Sequence, residues 1–297
     1  MTMKKIAYIA GILMLMLPAV AGAQALPFVS SETDAVSLGM AGANLTETGS
    51  IANAAFTNAA VIPFSESRLD ASAGYTLWQP TQSNVVALAG AYNIADKVGV
   101  ALGFNYGLNA PYEFAGKKFM PTDMQVSAGV SWRFLPYLSV GANLGYAVTS
   151  LAEGQSYSAF NTDLFLMGKV ADVKITAGMS NLGSKVSAGP VAEYSLPTSV
   201  SLGVGYDKVF SQTHGVDVLA DADYFLDGAL RAALGAGYTY NDLVTVRAGY
   251  CFATAGLPSF ASVGLGVKYL GVKLNLAYVV PMGALANTLA VTLGYSF

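Results

Sequence analysis

From Leu289 to Phe297 the chain alternates large apolar with small or polar residues: Leu289, Val291, Leu293, Tyr295 and Phe297 against Ala290, Thr292, Gly294 and Ser296. Successive side chains of an extended strand point to opposite faces, so this pattern builds one face for lipid and one for a lumen. The same period of two recurs in fourteen segments of about ten to thirteen residues, each ending at a turn signal. They fall near 67–79, 83–95, 97–109, 123–135, 138–151, 158–170, 173–182, 198–210, 215–226, 229–240, 243–253, 260–270, 272–281 and 287–297. An even number of such segments predicts an all-β fold, a transmembrane antiparallel β-barrel of about 14 strands that spans residues 67–297.

Connection lengths orient this barrel. With both termini in the periplasm, the short turns at 95–97, 135–137, 171–172, 241–242 and 270–271 fall inside, and the long connections 110–122 and 183–197 fall outside. Two connections fit less well: Phe210 to His214 is slightly long for a periplasmic turn, and Asp227-Gly228 is very short for an outer loop. Outward positions such as Val100, Leu102, Phe104 and Tyr106, or Val263, Leu265, Val267 and Tyr269, form apolar stripes with tyrosine toward one end, as in an aromatic girdle. Their partners, such as Gly99, Ala101, Gly103 and Asn105, or Ser139, Gly141, Asn143 and Gly145, are small and carry no charge. Such a wall suits a lumen packed by another segment better than an open aqueous channel.

Composition supports this reading. Apolar residues make up 54% of the chain and charged residues 11%, well below the roughly one quarter usual in soluble domains. After the N-terminus no apolar run reaches the roughly 20 residues of a spanning helix. Lys4 and Lys5 precede an apolar run from Ile6 to Val20 that ends in Ala21-Gly22-Ala23, which predicts a secretory signal peptide over residues 1–23, the alternative being a retained anchor. Its removal leaves 13 basic against 18 acidic residues, a formal charge of −5, so nucleic acid is not an expected partner. The expected location is the outer membrane of a Gram-negative cell, as an integral protein. Residues 24–66 lack long alternation and form the candidate plug, with Leu38, Gly39, Met40 and Asn58 as its marked positions; a flexible tail is the alternative.

Little in the chain suggests catalysis, and no enzymatic role is predicted. His214 is the only histidine and has no fixed nucleophile beside it, while Cys251 is the only cysteine, so neither a triad nor a multi-thiolate metal site is available. No cofactor or metal is expected. The sharpest polar cluster is on the ninth segment, where Asp217, Asp221, Asp223 and Asp227 share the inward face, with Arg231 and Arg247 inward on the next two. Arginine facing aspartate in a partly dehydrated lumen suggests bidentate pairs that tie wall to plug; a polar selectivity filter or a calcium site is the alternative. The outer loops offer Tyr112, Phe114, Phe119 and Tyr194, aromatic residues close to lysines, as possible partner or ligand contacts.

Four stretches carry a family resemblance. Leu38-Gly39-Met40-Ala41-Gly42-Ala43 with Asn53 to Val61, Met179-Ser180-Asn181-Leu182-Gly183, Leu196-Pro197 with Leu202-Gly203 and Tyr206, and Val244-Thr245-Val246-Arg247-Ala248-Gly249-Tyr250 resemble, in that order, the PorV/PorQ family, a branch of the FadL-like fourteen-stranded outer-membrane barrels. One departure is Asn58-Ala59-Ala60, where the family's plug reads Asn-Pro-Ala. The resemblance implies a non-enzymatic barrel that docks outer-membrane or secreted proteins in export or surface attachment of the type IX secretion kind. Its FadL side implies the alternative, transport of hydrophobic small molecules. The expected partners are therefore outer-membrane lipid, the barrel-assembly machinery that reads a C-terminal signal such as Tyr295 and Phe297, a protein partner and, on the alternative, a hydrophobic ligand.

Overall fold

A computed structural model describes residues 26–78, 83–114, 116–152, 155–187, 193–211, 213–254, 257–283 and 287–297; the signal segment expected at 1–23 lies outside them. Fourteen strands form a closed antiparallel barrel: β1 (Leu69–Trp78), β2 (Ser83–Ile94), β3 (Val98–Leu108), β4 (Thr122–Leu135), β5 (Leu138–Ala152), β6 (Gln155–Val170), β7 (Val173–Gly183), β8 (Ser199–Ser211), β9 (His214–Phe225), β10 (Leu230–Tyr240), β11 (Val244–Ala253), β12 (Phe260–Tyr269), β13 (Val272–Pro281) and β14 (Thr288–Ser296). Each strand pairs with its neighbours in sequence. β14 then returns to β1, from Asp70↔Ser296 to Leu77↔Leu289. Phe297 completes the seam, since its backbone N–H donates to Leu69 O and its carbonyl accepts from Leu69 N, each at 3.0 Å.

All fourteen expected segments are strands, with small shifts at their ends. The connection from Phe210 to His214, expected to be long, is short, because the β8–β9 ladder shifts register after Val209 and continues to the pair Ser211↔His214. The turns at this end use left-handed residues: Ala95 and Asp96 have φ of 53° and 55°, and Asn241 and Asp242 have φ of 55° and 51°. Two successive left-handed residues match the right-handed twist of the strands they join. The opposite end carries the longer connections, two of which fold into small hairpins, Tyr112–Phe114 with Lys117–Phe119 and Val186–Ser187 with Glu193–Tyr194.

The outer surface is apolar around the circumference: Leu102, Val130, Leu144, Leu164, Leu234 and Leu293 are all exposed. A band of this extent suits hydrocarbon and not water. Aromatic residues flank it at both ends, with Trp132, Tyr240, Tyr269 and Tyr295 toward the turns and Tyr75, Phe252 and Tyr278 toward the loops.

The buried core lies inside the barrel, between its inner wall and residues 26–66. This inner segment forms one short helix, α1 (Ala35–Gly39), and three 3-10 turns, Pro27–Ser30, Ala52–Ala55 and Ala59–Phe64. Inward polar side chains hold its backbone: Ser127 Oγ donates to Ala55 O and Ser139 Oγ to Ala60 O, both at 2.6 Å, and Asn143 Nδ2 donates to Ala54 O at 3.1 Å. The small inward residues leave the room it occupies. A Cβ on Gly249 would lie 2.5 Å from the Met40 carbonyl carbon, and one on Gly235 would lie 2.7 Å from Met40 Cβ.

The missing proline after Asn58 does not abolish the turn that follows. Asn58 Oδ1 accepts the Ala60 N–H at 2.9 Å and so caps Ala59–Phe64. Its Nδ2 donates to Leu45 O at 2.7 Å and to Thr176 Oγ1 at 3.1 Å, which joins two stretches of the inner segment to β7.

Candidate functional site

The wall is irregular at Met179-Ser180-Asn181-Leu182-Gly183. Between β6 and β7 the pairs run Leu164↔Met179 and then Thr162↔Leu182, so Ser180 and Asn181 together oppose Asp163 alone. Asn181 adopts φ 56°, a left-handed conformation that asparagine tolerates better than most residues. Its N–H has lost a ladder carbonyl and donates instead to Asp163 Oδ1 at 2.7 Å. On the other side, the β7–β8 ladder begins at Ser180↔Ser199. Toward the loop end from that pair, side chains replace the ladder: Thr198 Oγ1 donates to Asn181 O at 2.8 Å, and Asn181 Nδ2 donates to Pro197 O at 3.3 Å and to Ser30 Oγ at 3.1 Å. Pro197 has no N–H with which to extend the sheet.

A cavity of about 270 Å³ lies against this break, between the wall and the inner segment. Asn161, Asp163, Ser180, Asn181 and Pro197 form its side at the break. Val29, Leu38, Leu45 and Phe56 contribute apolar surface from the inner segment, and Phe225 and Phe260 contribute rings from the barrel. A partly open space whose exposed surface is largely apolar, bordered by many polar side chains, is the candidate small-molecule site.

Arg231 supplies the cationic side chain of the lining. It stands directly across the ladder from Asp223, and its Nε donates to Asp223 Oδ2 at 2.9 Å. Asp223 Oδ1 accepts from Ser201 Oγ at 2.6 Å, so the pair is not the bidentate fork expected from the sequence. Arg231 Nη1 lies 3.8 Å from Glu32 Oε1, and Glu32 also accepts from Ser37 Oγ and Asn44 Nδ2. Burial pushes the Glu32 carboxyl above its ordinary pKa, against the pull of Arg231 and of these two donors.

The other members of the predicted cluster separate. Asp221 Oδ2 accepts the backbone N–H groups of Asn44 at 2.6 Å and Leu45 at 2.9 Å, a wall-to-plug tie made to backbone and not to arginine. Arg247 was expected to pair with a lumen aspartate, but its Nη1 donates to Asn275 Oδ1 at 3.1 Å. Asp217, half-buried on β9, lies over Gly237, which has no side chain to displace it. Asp227 belongs to the connection after β9, where it accepts the Ala229 N–H, and not to the lumen face. Among the described residues no three or more His, Cys, Asp or Glu side chains converge on a metal position.

The marked plug positions Leu38, Gly39, Met40 and Asn58 are all buried. Of these, Leu38 reaches the cavity. The loop aromatics lie apart from it. Tyr112 lies tilted against Phe119, with ring centroids 5.6 Å apart, and donates through its hydroxyl to Leu151 O; Phe114 and Tyr194 lie in the two loop hairpins. Tyr295 and Phe297 face outward at the seam, with ring centroids 6.2 Å apart. His214, exposed beside Tyr238 and Tyr240 at the turn end, is remote from the cavity lining.

Sequence reasoning singled out the Asn-Leu-Gly motif but neither Asp163 nor Glu32. Asp163 had one readable signal, as the charged residue among the inward positions Asn161, Asp163 and Phe165 of its strand. Glu32 had none.

No protein-family model and no curated sequence matches the chain. Solved structures do match in fold. The Pseudomonas putida toluene transporter TodX superposes with a TM-score of 0.67 at 15% identity, over 94% of this chain and 99% of that one. The CymD monoaromatic hydrocarbon channel gives 0.64 at 13%, over 93% and 99%. A Pseudomonas aeruginosa FadL homologue gives 0.59 at 12%, over 93% and 100%. At these identities the likeness is one of fold: the chain shares the barrel architecture of these outer-membrane proteins.

Proposed function

We propose that this protein is an integral outer-membrane barrel, with both termini periplasmic, that passes small hydrophobic molecules across the outer membrane. The observation that carries this reading is the cavity of about 270 Å³ set against the break at Asn181, where side chains alone close the wall between β7 and β8. A molecule held there has two exits, sideways through the side-chain-closed wall or along the lumen past the inner segment. The fold shared with a toluene transporter and a monoaromatic hydrocarbon channel supports the same reading. The test is uptake of radiolabelled toluene by Gram-negative cells with and without the protein at matched surface expression. Faster uptake with the protein supports transport, and equal rates reject it.

The partner-docking role implied by the PorV/PorQ resemblance is the second reading. It draws support from the loop end, where Tyr112 and Met120 are exposed beside Lys117 and Lys118. Native mass spectrometry of protein gently extracted from its own membrane separates the two. A stoichiometric protein partner favours docking, and a lone barrel carrying small apolar molecules favours transport.

A further inference from the structure

The inner segment straddles the seam where the last strand of the barrel returns to the first. In the loop-side half, Thr76 Oγ1 on β1 donates to Thr33 O at 3.2 Å, and the Ala35 N–H donates to Thr292 Oγ1 on β14 at 3.0 Å. Toward the turn end, Asp70 on β1 accepts the N–H of Ile51 at 3.0 Å and also that of Ala52. These two donors open the 3-10 turn Ala52–Ala55, which offers them no carbonyl of its own.

Asp70 is fully buried, and its countercharge comes from two strands away. Lys273 Nζ on β13 donates to both Asp70 oxygens at 2.7 Å. Lys273 stands across the ladder from Gly294 of β14, and Gly294 stands across from Ser72 of β1. The lysine side chain therefore crosses β14 on the lumen face, where a Cβ on Gly294 would lie 3.5 Å from Lys273 Cε.

Every other strand contact of the barrel joins neighbours in sequence. Until β14 meets β1, Asp70 and Lys273 belong to opposite edges of an open sheet, and Asp70 has no cation. A carboxylate in that position keeps its water and does not form a dry seat for Ile51 and Ala52. Once formed, the seat holds the inner segment against β1, while Thr76 and Thr292 hold it to both sides of the seam. We propose that the β1–β14 seam and the inner segment close as one cooperative unit, with the Asp70–Lys273 pair as the link between them. A closed barrel is then always a filled one.

The test is hydrogen exchange of the full-length protein in detergent, followed by mass spectrometry of peptides from residues 51–55, from β1 and β14, and from β4 to β6 in the wall away from the seam. Lys273→Met keeps the stem that crosses Gly294 and removes the charge. It should speed exchange about tenfold or more both at 51–55 and in β1 and β14, and leave β4 to β6 unchanged. A second variant locks the seam without touching the ion pair. Leu77 and Leu289 are directly opposed across it, at a spacing that a disulfide spans, and the native Cys251 is fully buried. Oxidation of Leu77→Cys/Leu289→Cys should slow exchange at 51–55 as well as in β1 and β14, relative to the reduced form. This arm decides the matter if Lys273→Met fails to insert. Acceleration in Lys273→Met at 51–55 alone, at the seam alone, at neither, or equally in β4 to β6 overturns the link. So does exchange at 51–55 that ignores the disulfide.

Discussion

The backbone N–H of Asn181 donates to the Asp163 carboxylate at 2.7 Å, in the position where a regular ladder would offer it a carbonyl. Together with the bonds that Asn181 makes to Thr198, Pro197 and Ser30, it holds a left-handed residue in the wall beside the cavity. Asp163→Ala leaves the N–H buried without an acceptor, at a cost of roughly 1–3 kcal/mol, and should lower the thermal unfolding temperature and slow toluene uptake. Asp163→Asn keeps an acceptor and should lose far less of either. If Asp163→Ala melts and transports as the wild type does, the carboxylate does not maintain the break.

The two lumen arginines should behave unequally. Arg231→Ala strands Asp223 and Glu32 in a buried site, and removal of one member of a buried charge pair costs about 3–5 kcal/mol. Arg247→Ala loses a hydrogen bond to a neutral amide, worth about 1.5–3 kcal/mol, and a longer-range attraction for Asp34 and Asp217, but no direct ion pair. Unfolding midpoints measured side by side in one detergent should rank Arg231→Ala clearly below Arg247→Ala. The reverse ranking would mean that the Arg231 cluster does not anchor the inner segment.

The strands were legible because a period of two records only which side of a wall a residue faces. Leu289 to Phe297 needed nothing more, and neither did the small inward residues that signalled a filled lumen. The path of the filling segment was not legible, since it depends on the height of each residue within the barrel. Asp221 and Asp223 are adjacent on the same face of β9, yet one meets the backbone of Asn44 and Leu45 and the other meets Arg231. Arg247 is inward as expected, but Asn275 on β13 bonds it first. The length of the connection after β8 is not legible for a related reason, since a shift in ladder register alters a turn's length without disturbing the alternation.

The glycines of the inner wall provide a steric test. Gly249 lies against the Met40 backbone, so even one added methyl group meets atoms that cannot rotate away. Gly249→Ala should destabilise the protein by roughly 1–3 kcal/mol through overpacking, or displace the inner segment and raise conductance in planar bilayers. Gly215→Ala is the control, because the nearest atom to its added Cβ is 3.8 Å away, and it should change neither property. Identical behaviour of the two variants would show that the trough of small residues does not seat Met40.

Glu32 gives the stability a pH dependence of defined sign. Burial raises its pKa from the ordinary 4.5, despite the attraction of Arg231 and the hydrogen bonds from Ser37 and Asn44. The folded state therefore holds this proton more tightly than the unfolded chain does. The stabilising contribution is complete below about pH 4.5 and is lost as pH rises through the folded-state value. Glu32→Gln cannot ionise and forgoes the contact with Arg231 at every pH. Relative to wild type, the variant should gain stability steadily as pH rises from 4 toward 8, while all other acids titrate alike in both proteins. Unfolding midpoints of the pair, taken at closely spaced pH values, isolate that difference. A gap that stays constant across the range, or that widens in favour of the wild type as pH rises, would mean that the ionised Glu32 is not held against the cost of burial.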